Sequence, residues 1–115
     1  MTTRLPTAIG VGALLRRVND SGGMAMVRAK GDPQAGGVLF LLEEGAVLRA
    51  MERGVGPCGT SALVEVGRVE SRLGSPPESL DDYWRRRRAR DPDLWVIELN
   101  VPAAERFIVE TMPFD

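Results

Sequence analysis

Val38-Leu-Phe-Leu-Leu-Glu43, set between Met24-Ala-Met-Val-Arg-Ala-Lys30 and Ala46-Val-Leu-Arg-Ala-Met-Glu52, is the stretch on which the fold turns. Its core is apolar at both parities, the pattern of a central strand covered on both faces, whereas Met24 to Lys30 alternates and suits a position nearer an edge. Gly31-Asp-Pro-Gln-Ala-Gly-Gly37 and Glu44-Gly45 separate the three segments with turn chemistry. The three therefore read as an antiparallel meander. Val47 to Arg53 alone is also compatible with helix, because a short Leu-rich run is ambiguous in period.

Outward from this centre the elements fall on either side. Upstream, Ala8, Val11, Leu14, Leu15 and Val18 recur at three- and four-residue spacing, which predicts an amphipathic helix from Thr7 to Asp20. Pro6 suits its start and Gly22-Gly23 its end. Downstream, a loop with Gly54, Gly56, Pro57 and Gly59 precedes a fourth strand, Ala62 to Val66. Ser75-Pro76-Pro77-Glu78, with Ser79 as an alternative cap, opens a helix running to about Arg90, where Asp91-Pro92 stops it. Leu94 to Leu99 and Phe107 to Glu110 look like a closing hairpin. The expected fold is α+β: one domain over residues 1–115, a small antiparallel sheet of about five or six strands, and two helices packed on one face.

Composition narrows the function classes. The 115 residues carry 15 basic and 16 acidic side chains, no histidine and one cysteine, Cys58. Absence of histidine removes the Ser-His-Asp and Cys-His machineries and histidine pH switching, and a single cysteine removes intrachain disulfides and Cys/His zinc sites. Fourteen of the 15 basic residues are arginine, which reads first as coding bias. The apolar run Ala8 to Leu15 contains Gly10 and Gly12 and runs into Arg16-Arg17, unlike a secretory signal. No stretch approaches the ~20 apolar residues that span a bilayer, so the expected location is cytoplasmic, with no membrane partner.

Chemistry has one conspicuous candidate, Tyr83-Trp-Arg-Arg-Arg-Arg-Ala-Arg90. On a helix, Asp81/Arg85 and Asp82/Arg86 are i,i+4 pairs on a solvated face. Leu80, Tyr83, Trp84, Arg87 and Asp91 converge instead on the core-facing stripe. A guanidinium there must be paired, which predicts a structural ion pair of Arg87 with Asp91 or with a glutamate at the edge of the core. The functional alternative is an anion-binding site of Arg87, Arg88 and Arg90, with Tyr83 or Trp84 for stacking. Nucleic acid is a weaker ligand, because the rest of the chain has no second basic stripe.

The other candidates carry less. Gly31 to Gly37 lacks the Lys-Ser/Thr of a phosphate loop and does not match G-x-G-x-x-G. Cys58 has no activating neighbour in sequence. Pro92-Asp93 followed by Glu98 superficially resembles a metal-nuclease arrangement. However, no lysine follows, and the two acids have opposite parity on one short strand. No catalytic residues, metal or cofactor are assigned, and a carboxylate-metal hydrolase is the least supported class.

Several motifs together resemble a known family. Arg4-Leu5-Pro6-Thr7, the Ala13-Leu14-Leu15-Arg16-Arg17 helix, Gly31-Asp32 with Ala35-Gly36, and above all Arg85-Arg86-Arg87, Arg90 and Asp91-Pro92-Asp93-Leu94-Trp95-Val96-Ile97-Glu98 resemble the alphaproteobacterial domain of unknown function 1491. The resemblance runs almost end to end and implies a small cytosolic bacterial protein, but it carries no activity or site residue across. The leading functional reading is therefore a non-catalytic module that binds an unidentified protein or a second copy of itself through an open strand edge.

Overall fold

The computed structural model describes residues 5–70 and 78–112. In chain order the elements are α1 (Thr7–Asp20), β1 (Met24–Ala29), β2 (Val38–Glu44), β3 (Val47–Val55), β4 (Ser61–Glu70), α2 (Glu78–Arg90), β5 (Trp95–Asn100) and α3 (Ala104–Thr111). This is an α+β fold around a five-stranded sheet. The cap expected at Ser75 lies outside the described residues, and Val47 to Arg53 is strand.

The sheet order is β1-β5-β2-β3-β4. Strands β2, β3 and β4 form an antiparallel meander, with Leu41 opposite Ala50 and Glu52 opposite Val64. The two-residue connection Gly45-Ala46, with Gly45 at φ 61°, has the left-handed backbone that tight hairpins require. Strand β1 does not join this meander as expected: it pairs with β5, which lies between it and β2. The connection over residues 30–37 exceeds the ~2–5 residues of a usual hairpin loop and leaves room to step over one strand. Because β5 runs parallel to β2 and antiparallel to β1, the sheet is mixed rather than wholly antiparallel.

Both sheet faces are covered. Val11, Leu14 and Val18 of α1 and Ala104 and Ile108 of α3 pack on Phe40, Leu42, Met51, Trp95, Ile97 and Leu99. Leu80 and Trp84 of α2 pack on Leu39, Leu41, Ala50 and Val96 from the other side. The two helices that share a face are thus α1 and α3. The segment expected as the second half of a closing hairpin is helix α3. Ala104, Phe107, Ile108 and Thr111 repeat at helical spacing, with Ile108 fully buried, and this periodicity outweighs the β-branched composition of Phe107-Ile-Val.

Helix α3 starts under strain. Ala103, its N-cap, has φ 56° and offers no side-chain cap. A left-handed alanine costs roughly 1–2 kcal/mol, partly offset when glycine replaces it by the greater freedom of the unfolded chain. Ala103→Gly is expected to raise the unfolding free energy in urea titration by about 0.5–1 kcal/mol; a loss of stability would show that this backbone is not strained.

Candidate functional site

The arginine-rich face of α2 is assembled by the sheet as much as by the helix. Glu52 lies on β3 opposite Leu39, so its side chain rises on the face that α2 covers. Arg87 forks onto it, Nη1 to Oε1 at 3.0 Å and Nη2 to Oε2 at 2.8 Å, and Nη1 also donates to the Tyr83 hydroxyl at 3.0 Å. Both charged side chains are 24% exposed. The Glu52 hydrogen bonds raise the Arg87 pKa against the opposing effect of burial, so the guanidinium stays charged.

Asp91, one partner suggested by helical spacing, is not the group that Arg87 holds. Its carboxylate accepts from the Asp93 N–H at 3.2 Å, closing the turn after α2. The nearer acid in sequence is used by its own turn, and the partner comes from a strand 35 residues away.

The remaining residues of the expected anion site are together on α2 but differently employed. Arg88 donates to the carbonyls of Pro92 at 2.5 Å and Lys30 at 2.8 Å, tying the end of α2 to the chain just after β1. Trp84 is buried and its indole N–H donates to Asp81 at 3.2 Å, while the Arg85 guanidinium lies 5.2 Å over its ring. Arg87 sits 5.8 Å over the Tyr83 ring. Arg90 is exposed. Two of the three proposed anion ligands are thus engaged within the chain, and each aromatic ring already carries an arginine.

The glycine-rich loop is a fastening. Asp32 N–H donates to Asp93 O, and Ala35 and Gly36 N–H groups turn back onto Asp32. The Pro33 and Gln34 carbonyls accept from Ala8 and Thr7 at the start of α1, which has no side-chain cap. A Cβ on Gly31 or Gly36 would lie 2.1 Å from the Asp93 carbonyl oxygen, so only glycine permits this approach. Its N–H groups are therefore not arranged as a phosphate cradle.

Glu98 faces Arg28 at 3.6 Å. Among the described residues no three His, Cys, Asp or Glu side chains converge as a metal site. Cys58 is exposed in the β3–β4 turn.

One feature was missed by sequence reasoning, and one that it expected only in outline takes a definite form. Arg49, only 14% exposed, is surrounded by Glu44, Glu65 and Glu105 from β2, β4 and α3, with Glu65 at 3.5 Å. Hydrogen bonding to Glu105 leads in raising its pKa. Arginine at the parity of buried Met51 was the available signal. The second feature is the outer edge of β1. The Ala25 N–H turns away from β5 to Asn19 Oδ1 at 3.2 Å. Alternation along a strand then points the Val27 N–H and C=O outward as well. Met24, Met26 and Val27 are the exposed apolar side chains along this margin.

Comparisons with known proteins agree with this architecture. The model of a family described as protein of unknown function (DUF1491) matches residues 5–109. A crystal structure of a DUF1491 family protein from Caulobacter crescentus CB15 is 30% identical, with a TM-score of 0.67 over 90% of this chain and 94% of that one. An NMR structure of a DUF1491 family protein from the same organism is 29% identical, with a TM-score of 0.67 over 92% and 94%. The solution structure of protein Atu0922 from A. tumefaciens, 24% identical and with a TM-score of 0.63 over 86% and 87%, supports the fold alone. No curated protein matches this sequence.

The Arg87–Glu52 pair has a measurable structural consequence. Because the pair is partly exposed, Arg87→Ala and Glu52→Gln are each expected to cost about 1 kcal/mol in denaturant titration, with the double variant costing less than their sum. Strict additivity would mean that the two side chains do not interact in solution.

Proposed function

This chain belongs to the DUF1491 family, and from that premise we propose that it is a non-catalytic interaction module that pairs with a second copy of itself through the outer edge of β1. The observation carrying this reading is the outward-facing backbone at Val27, flanked by exposed Met24 and Met26. Sheet edges are commonly blunted by charged side chains, bulges or covering groups. Here Asn19 occupies the Ala25 N–H, and the pairing with β5 shifts register between Val27 and Ala29. Between these lies the uncharged pair Met26-Val27, followed by Arg28, whose guanidinium is directed to Glu98 at 3.6 Å. The opposite edge, β4, carries Glu65 and Arg68.

An antiparallel two-fold contact centred on Val27 exchanges its N–H and C=O with those of the second copy and makes one continuous sheet. The anion-binding alternative has less support, since Arg87 and Arg88 are engaged within the chain. Nucleic acid inherits the same difficulty. A carboxylate-metal hydrolase has no three-ligand cluster among the described residues.

Sedimentation of the full chain from low to high micromolar concentration tests the proposal. The expected result is a monomer–dimer equilibrium that Val27→Pro abolishes without loss of helix and sheet signal, because the removed N–H faces away from β5. A chain that stays monomeric throughout the series would overturn it.

A further inference from the structure

Helix α2 crosses its face of the sheet diagonally. Near its start, Leu80 approaches Gly67 of β4; near its end, Arg88 binds the Lys30 carbonyl beyond β1. The opposite corner has no helix over it among the described residues. A cavity of about 350 Å³ opens there beside the start of α2, lined by Leu41 and Leu48 of the sheet, by Leu80 and Asp81 of α2, and by Glu43 and Glu98. Register continues this surface onto β1, because Met26 lies opposite Glu98 and so on the same face. Met26 is 44% exposed and Met24, of the same parity, is 37% exposed.

We propose that this corner is a docking groove for a basic amphipathic helix of a partner protein. Width supports a helix: from Met26 on β1 to Leu48 on β3 the surface spans three interstrand spacings, ~14 Å, enough to seat one α-helix with its side chains. Charge gives the sign of the partner. The three ionisable residues lining the cavity are acids, and Arg28 sits 3.6 Å from Glu98 at one side. Asp81 is held in place by the Trp84 indole N–H, and the Glu43 carboxylate has no hydrogen bond or ion pair among the described residues. The partner's apolar stripe rests on Leu41, Leu48 and Met26, and its Lys or Arg side chains reach Glu43, Asp81 and Glu98. Methionine at the margin adapts to varied apolar surfaces. This inference rests on the interaction-module reading for its role, but it uses face side chains where self-pairing uses the β1 backbone.

The test is fluorescence anisotropy of the full chain with a labelled helical peptide of leucine and lysine segregated onto two faces. Controls are a peptide of the same composition with the segregation scrambled and a leucine–glutamate helix. The segregated basic helix should bind best, with affinity reduced about tenfold or more by Glu43→Lys and by Met26→Asp. Glu43→Gln should give a smaller loss, and Val27→Pro no change. Circular dichroism establishes that each variant is folded. Equal binding of the scrambled peptide, insensitivity of the segregated peptide to both Glu43→Lys and Met26→Asp, or dissociation of a dimer by Glu43→Lys would each overturn the proposal. Failure of self-association alone would leave the peptide result standing, so the two readings fail separately.

Discussion

Strand β5 is paired on both sides and buried on both faces, and the remaining elements are arranged around that constraint. Trp95, Ile97 and Leu99 pack towards α1 and α3, while Val96 packs towards α2. Its pairing with β1 and β2 separates two strands that are neighbours in sequence. The turn before it holds the glycine-rich loop, through Asp93 O to Asp32 N–H and Trp95 Nε1–H to Asp32 O at 2.8 Å. That loop in turn caps α1. One late strand thus organises the N-terminal third of the chain, and β1 becomes an edge because β5 has taken the place beside β2.

Helical spacing of Val11, Leu14 and Val18 made α1 legible, and continuous apolar runs bounded by turn residues made β2 and β5 legible, while β3 stayed ambiguous in period. Pairing was less legible. Adjacency favoured β1 beside β2, and nothing in Met24 to Lys30 indicates that a strand some 70 residues later will intervene. Phe107-Ile-Val has strand composition in a helix whose fully buried residue is Ile108. The same limit applies to the charges. Helical spacing placed Arg87 beside Leu80 and Trp84, yet its partner depends on β3 register, which helical spacing does not encode.

The near balance of 15 basic and 16 acidic residues has a spatial counterpart. Arg87 joins α2 to β3 through Glu52, Arg49 joins β2, β4 and α3 through three glutamates, and Arg17 joins α1 to Glu110 of α3 at 3.3 Å. Arginine is suited to such work because its planar fork makes two bonds at once. Much of the arginine that looks like a ligand site in the sequence therefore fastens helices to the sheet. The interaction reading consequently rests on the β1 backbone and the acid-lined corner, which those pairs leave open.

Residue-resolved amide hydrogen exchange at two protein concentrations tests the central claim, a protected inner β5 beside an open β1 edge. The Val96 to Leu99 amides should exchange only with global unfolding at either concentration. The Val27 amide should exchange far faster in dilute protein and slow as concentration rises and edges pair. Fast exchange throughout β5, or a Val27 amide as protected in dilute protein as those of β5, would contradict the account.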